Sequence, residues 1–381
     1  MTAATAAASP QSLARGAAGT ALLVIEQALT GGETWTTAHQ AISAAFAEEA
    51  NAGPGACLLH GVPALALVLR AAQTDGHRRY QAEAQVLSEH VARMTRQQLA
   101  AATALLESGS AGSFRVHDLF FGLAGFGTVL LRTDPEGEAL ADILRYLVRL
   151  TRPRTIGGTV VPGWWASDDP DTTVQTPGGH LNLGMAHGGA AILALMSLCA
   201  RHGVTVDGQQ DAIRSLACWY TSQQRDSPHG PWWPQWLTLV NLRDGSPGQS
   251  GGWRPSWCYG AAGISRALQL AAIAVGDGTA QAAAEQALAA CLEPTQLARL
   301  TEPGLCHGLA GLYMTALRAA HDARSPDIAA RLPAAAVLLA GKAGAAEGSG
   351  LLTGSAGVRL ALEAARNGPP RSGWDACLLI T

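Results

Sequence analysis

A four-residue phrase that opens on glycine recurs seven times along the chain, each copy followed by an apolar, alanine- and leucine-rich stretch. The copies are Gly-Ala-Ala-Gly from Gly16, Gly-Val-Pro-Ala from Gly61, Gly-Leu-Ala-Gly from Gly122, Gly-Gly-Ala-Ala from Gly188, Gly-Ala-Ala-Gly from Gly260, Gly-Leu-Ala-Gly from Gly308 and Gly-Ser-Ala-Gly from Gly354. They start 45, 61, 66, 72, 48 and 46 residues apart, spacings that suit a pair of helices with a variable connector. Length alone would split 381 residues into roughly two or three domains. The repeat overrides that count and predicts one domain over residues 1–381.

The stretches after the phrases, such as Thr20 to Leu29 and Ile264 to Ala274, read as helices with buried faces. More polar helical text, for example Arg78 to Leu105 and Asp207 to Gln224, lies between them and suits a solvated face. Glycine at the junction permits a left-handed turn and a close approach of backbones. Seven such hairpins closed into a ring form an α/α toroid, a double ring of helices; an open superhelix has the same local signature. Two insertions, about 155–179 and 226–253, are rich in Gly, Pro, Asp and Trp and predict ordered loops or short β-hairpins over one face. Six of the ten tryptophans lie in or beside them: Trp164, Trp165, Trp232, Trp233, Trp236 and Trp253. Packing the loops down is their ordinary use, and a peptide-binding rim is the alternative.

Charged residues make up only 14% of the chain and 48% is apolar, so much of each helix must be buried. A net charge of -3 without a basic stripe excludes a nucleic-acid partner. The opening residues carry no cationic segment followed by an apolar one, no apolar run reaches the roughly 18 to 20 residues of a membrane span, and no polybasic anchor is present. Seven scattered cysteines lack the dense, even spacing of a disulfide scaffold. A cytoplasmic protein without direct membrane insertion is expected.

Aligned on the first glycine of each phrase, the two preceding residues are Ala14 and Arg15, Leu59 and His60, Phe120 and Phe121, Ala186 and His187, Cys258 and Tyr259, Cys306 and His307, Leu352 and Thr353. In a closed ring these equivalent positions face one mouth. Cys258, Cys306 and His307 then make a candidate zinc set, because thiolate and imidazole are preferred zinc ligands and three of them leave a fourth position open. His187 shares the register of His307 without a cysteine before it, which fits an acid/base group. Asp118, four residues before Gly122, and Arg254, six before Gly260, are the other polar residues fixed to a phrase. Cys57, Cys199, Cys218, Cys291 and Cys377 read as core filling. The acidic run Asp168, Asp169 and Asp171 reads as a solvated turn, which argues against a hydrolase built on two carboxylates.

The phrases Asn-Leu-Gly-Met-Ala-His-Gly at 182–188, Arg-Pro-Ser-Trp-Cys-Tyr-Gly at 254–260, Leu-Cys-His-Gly-Leu-Ala-Gly at 305–311 and Leu-Thr-Gly-Ser-Ala-Gly at 352–357 make the chain resemble the lanthionine synthetase C-like peptide cyclases. The resemblance runs from about Gly16 onward. It implies an all-α, α/α toroid with a central Zn2+ held by Cys258, Cys306 and His307. It also implies that His187, Asp118, Arg254 and Tyr259 surround the reacting centre, with Asp118 orienting His187 and Arg254 stabilising an enolate oxygen or positioning Asp118. The implied reaction adds a peptide cysteine thiol to dehydroalanine or dehydrobutyrine, giving lanthionine or methyllanthionine thioether rings of the lantibiotic kind. The implied partners are a leader-bearing precursor peptide, a separate dehydratase that acts on it first, and an exporter. The alternative is a zinc-binding scaffold that holds a peptide or a small thiol without catalysis.

Elementary thiol chemistry points the same way. A free cysteine, with a pKa of about 8.5, is only a few per cent thiolate at neutral pH, and zinc coordination removes its proton. Addition to an unsaturated amide then creates an enolate that needs a proton, and an imidazole can supply one near neutral pH.

Overall fold

The computed structural model describes residues 9–381. Residues 1–8, which open the segment read as lacking a secretory signal, lie outside it. Fifteen α-helices form among the described residues. In chain order the first eight are α1 (Ala17–Thr30), α2 (Trp35–Ala45), α3 (Val62–Ala71), α4 (Gln81–Glu107), α5 (Leu123–Thr133), α6 (Glu138–Leu150), α7 (Gly189–Arg201) and α8 (Gln209–Ser222). There follow α9 (Leu239–Asp244), α10 (Ala261–Val275), α11 (Gly278–Cys291), α12 (Pro294–Leu297), α13 (Leu309–Asp322), α14 (Asp327–Lys342) and α15 (Ser355–Asn367).

The helices α1, α3, α5, α7, α10, α13 and α15 each begin directly after one glycine phrase opens. Each packs against the next, and α15 packs back onto α1, so the seven close into an inner ring. Between them α2, α4, α6, α8, α11 and α14 lie outside, each packed on the inner helix before it and touching the one after it. The choice between ring and open superhelix is thereby decided in favour of the α/α toroid. Burial follows position in the ring. In α7 every residue from Gly189 to Cys199 is buried, whereas outer α6 buries one stripe that includes Leu140, Ile143, Leu144 and Leu147.

One constraint explains the glycines. The first amides of a helix have no partner within the helix and need acceptors from elsewhere. Here the segment before α1, α3, α5, α13 and α15 folds back and accepts from the first turn, as at α13: Leu309, Ala310 and Gly311 donate to the carbonyls of Glu302, Pro303 and Gly304 at 3.0, 3.0 and 3.3 Å. The price is crowding. A Cβ at Gly308 would lie 2.3 Å from the Glu302 carbonyl oxygen, and one at Gly311 would lie 1.9 Å from that of Leu305. The left-handed turn expected at these junctions occurs only at Gly61, with φ 73°; Gly308, at φ −116°, is extended and is needed for space.

The folded-back segments also bond to one another around the ring. Leu119 donates to Ala186, Ala186 to Cys258, Cys258 to Cys306, Cys306 to Leu352, Leu352 to Ala14, and Leu13 to Leu59, all through backbone groups at 2.9–3.4 Å. Residues just before the seven phrases are therefore joined in one arc around the ring.

No outer helix follows α15 among the described residues. From Gly368 the chain instead crosses the ring interior, burying Trp374, Cys377, Leu378 and Ile380. Glu26 of α1 accepts from the Arg371 and Ser372 amides at 2.9 Å, Arg318 of α13 pairs with Asp375, and Arg266 of α10 donates twice to the Ile380 carbonyl. Trp257 Nε1 donates to the Leu378 carbonyl at 2.9 Å.

The insertions contain little sheet. Strands β1 (Arg154–Ile156) and β2 (Thr159–Val161) form an antiparallel hairpin, and β3 (Leu181–Asn182) pairs with β4 (Trp236–Leu237), tying the second insertion to the segment that follows the first. Trp164, Trp165 and Trp233 are buried with their indole N–H groups bonded to carbonyls, so these three are packing residues; Trp253 is exposed. Cys57, Cys199, Cys291 and Cys377 are buried as expected, but Cys218 is exposed, because α8 turns Leu216 and Tyr220 inward. The stretch Asp327–Ala345 does have a membrane span's length and mean hydropathy, 19 residues and 1.3, contrary to the expectation that no run would. Its alanines raise that value while Asp327, Arg331 and Lys342 interrupt it, and as α14 it packs on α11, α13 and α15.

Two glycine substitutions should separate space from helix propensity. Gly311→Ala is expected to cost about 3 kcal/mol or more, since rigid backbone must move. Gly341→Ala, in α14 with nothing within 4 Å of the added Cβ, should stabilise by up to about 1 kcal/mol. Urea unfolding of both variants against the parent measures the difference.

Candidate metal centre and the residues around it

Cys258 sits two residues before Gly260, and Cys306 and His307 directly precede Gly308, so the backbone arc holds all three. The Cys258 amide donates to the Cys306 carbonyl at 3.2 Å, locking neighbouring phrases together at the ligands themselves. One donor atom from each of Cys258, Cys306 and His307 lies within 4.8 Å of the other two. A tetrahedral ion about 2.3 Å from each sulfur holds two sulfurs about 3.8 Å apart. The trio is compact enough to close on one such ion.

Without a cation the thiols share protons unequally. Hydrogen bonds from the Cys306 thiol, then from His307 and Ser256, hold Cys258 well below the usual thiol range against its burial. The same contact with Cys258, together with burial, pushes Cys306 well above it. The Cys258 partner also raises His307 despite burial. Two sulfurs and an imidazole nitrogen around shared protons are a donor set in which a divalent cation can replace those protons.

His307 is anchored from behind. Its Nε2 lies 2.6 Å from Glu302 Oε2, and Glu302 Oε1 accepts from Arg254 Nη1 at 3.0 Å. With Nε2 so engaged, Nδ1 is the nitrogen left to face Cys258. Arg254 is therefore tied to Glu302, and the expectation that it positions Asp118 is corrected. The reason is register: Arg254 and Glu302 each stand six residues before a phrase glycine, so the ring makes them neighbours. The Arg254 Nε is buried and unpartnered among the described residues.

The second half of the site spans the third and fourth phrases. Asp118 is fully buried, and its Oδ1 accepts from the Phe121 and Gly122 amides at 2.8 Å, at the start of α5. Its Oδ2 is 2.6 Å from His187 Nδ1. That bond puts the proton on Nδ1 and leaves Nε2 as the free nitrogen of His187. Aromatic rings enclose the imidazole: Phe114 and Phe120 meet it edge-on at 5.1 and 5.0 Å, Phe121 stacks at 6.0 Å, and Tyr259 is tilted at 6.0 Å. Tyr259 receives a 3.2 Å hydrogen bond from Asn182 Nδ2, and burial pushes its hydroxyl up, so it is a neutral phenol.

The sequence-predicted residues fall into one mouth, with Cys258, Cys306, His307 and Arg254 on one side and Asp118, His187 and Tyr259 on the other. Sequence reasoning missed Glu302, Asn182, Phe114 and Phe121. A signal existed for two of them, because Asn182 and Glu302 occupy the same offset, six before a phrase, as Arg254. The acidic run stands apart from the site. Asp168 accepts from Ser113 and the Phe114 amide, tying its loop to a distant segment, while Asp169 accepts from Thr176 and Asp171 from Thr173 within the loop itself.

Behind His187, burial holds His117 down to about 3, and the nearby His180 is also lowered by burial. Both imidazoles are neutral in the folded protein and charge readily once it unfolds. A folded pKa below the unfolded value near 6.5 means stability is full above pH 6.5 and is lost as pH falls towards the folded value. Unfolding free energy should therefore fall by about 1.4 kcal/mol per pH unit on account of His117 between about pH 6 and pH 4, with His180 contributing in the same direction. His117→Leu should remove one histidine's share of that slope in urea titrations run from pH 7 to pH 4.

Comparison with known proteins adds the family. The sequence model of the family described as Lanthionine synthetase C-like protein matches residues 7–379. Among solved structures, nisin cyclase superposes with a TM-score of 0.83 at 18% sequence identity, covering 98% of this chain and 92% of that chain. No curated protein sequence matches the chain.

Proposed function

The chain belongs to the lanthionine synthetase C-like family of thioether-forming peptide cyclases, and we propose that its 381 residues act as one domain that closes lanthionine or methyllanthionine rings in a dehydrated precursor peptide, with zinc at Cys258, Cys306 and His307. The observation that carries this reading is the convergence, in one mouth, of a Cys-Cys-His donor set and a carboxylate-oriented histidine.

Zinc, when bound, would hold a peptide thiol as its thiolate near neutral pH and so supply the nucleophile. The thiol proton goes to His187 Nε2, the one ring nitrogen that Asp118 leaves free. Sulfur bonds to the β-carbon of the dehydro residue, its double-bond electrons move onto the amide oxygen, and the α-carbon recovers a proton from His187. Substrate and product are isomers, so no cosubstrate is consumed.

Arg254 lies close enough to Cys306 for its charge to oppose part of that thiol's rise, and it is the cation nearest the sulfurs for stabilising the developing enolate oxygen. Tyr259, a neutral phenol beside His187, can hydrogen-bond a peptide carbonyl. Buried Asp118 stabilises the imidazolium while proton transfer is in progress. The dehydro residues must be made beforehand, and the proposal includes a separate dehydratase acting on the leader-bearing peptide, an exporter for the product and a cytoplasmic setting.

A dehydrated model peptide incubated with the protein and then alkylated tests the proposal by mass spectrometry, because ring closure leaves mass unchanged and only removes alkylatable thiols. The parent should hold one zinc per chain and protect thiols. His187→Ala should keep its zinc and close rings about 10²- to 10⁴-fold more slowly; Cys258→Ala should lose both. Zinc bound with no thiol protected on any dehydrated peptide would sink the cyclase reading in favour of a scaffold.

A further inference from the structure

We infer that Glu302 is the positioning residue of the metal centre: it fixes His307 as an Nδ1 ligand and holds Arg254 beside the ligand sulfurs. The inference rests on the proposed metal site and adds a residue to it. Glu302 Oε2 lies 2.6 Å from His307 Nε2 while Oε1 accepts from Arg254 Nη1 at 3.0 Å, so one carboxylate spans both residues.

An imidazole has two nitrogens that can bind metal, and the hydrogen bond made by one selects the other. The carboxylate requires Nε2 to carry a proton. Nδ1 is then the nitrogen left for the metal, and its proton is the one a metal ion would displace. The second oxygen does different work. Without it the guanidinium would have no anionic partner and could swing towards solvent, taking its buried Nε away from the site.

The backbone supports the same assignment. The Glu302 carbonyl accepts from the Leu309 amide at 3.0 Å and lies where a Cβ at Gly308 would stand 2.3 Å away. The main chain of residue 302 is thus part of the capping fold, and its side chain leaves from a fixed point beside His307. Its side chain is about half exposed, 48%, so truncation opens no core cavity.

The test measures metal binding directly on the full-length protein. Zinc affinity is measured by competition with a chromogenic chelator, and the cobalt-substituted protein reports ligand geometry in its visible spectrum. Glu302→Ala should fold with the parent's melting temperature in the metal-free state and bind zinc about 10- to 100-fold more weakly. Its cobalt d–d bands should shift while the thiolate-to-cobalt charge-transfer bands persist. Glu302→Gln, which keeps an acceptor oxygen, should lose less. Parent-like affinity and an unshifted spectrum in Glu302→Ala would overturn the inference while leaving the metal site standing. Failure of the folded parent to bind zinc or cobalt would overturn the site and the inference together.

Discussion

Hydrogen bonding of the spare amides at the start of each inner helix is the interaction on which the rest of the molecule depends. Those donors must be satisfied in a place where the ring leaves little room for water or for long capping side chains. The chain meets the need by laying its own preceding segment across the helix start, as Glu302 to Gly304 do for Leu309 to Gly311. Glycine at the first position of every phrase, and at the fourth position in the five phrases that carry it there, is the steric condition for that arrangement. Once it is met, residues at a given distance before each phrase occupy equivalent places around the mouth, and chemistry can be distributed by offset alone.

The site uses this in two halves. Adjacent fifth and sixth phrases bring the soft donors Cys258, Cys306 and His307 together, and the third and fourth bring Asp118 to His187. Each half carries its own buried or half-buried carboxylate on a histidine nitrogen, Glu302 for the metal half and Asp118 for the proton half. The two carboxylates are anchored differently. Asp118 takes two backbone amides at a helix start, whereas Glu302 takes a guanidinium. The first is rigid and enclosed by aromatic rings; the second is open to solvent on one side and keeps a cation next to the thiols.

Most of this arrangement can be read in the linear sequence because the repeat supplies an alignment within one chain. Counting back from each glycine finds Cys258, Cys306, His307, His187, Asp118 and Arg254 before any coordinates are known. Ring closure needs the α15 to α1 packing, a contact between distant parts of the chain that local periodicity does not encode. The replacement of a seventh outer helix by the segment from Gly368 escaped notice because that segment is short and carries no phrase of its own. Glu302 was overlooked because a lone acid before a proline reads as a surface charge, although its offset matches that of Arg254. The role of glycine was only half anticipated: close approach governs the junctions, and a positive φ is needed only at Gly61.

The ring closes through contacts between residues as far apart as Glu26 and Ser372, 346 positions along the chain. A ribosome adding about 5–20 residues per second needs on the order of tens of seconds to cover that distance. During that interval α1 exists with one apolar flank uncovered, waiting for a neighbour that has not been made. The residues of both halves of the mouth, from Asp118 to His307, emerge earlier in the same interval. The metal ligands are thus synthesised before the seam can close, while the carbonyls of Leu352 and Leu378 that brace Cys306 and Trp257 arrive only with the last part of the chain.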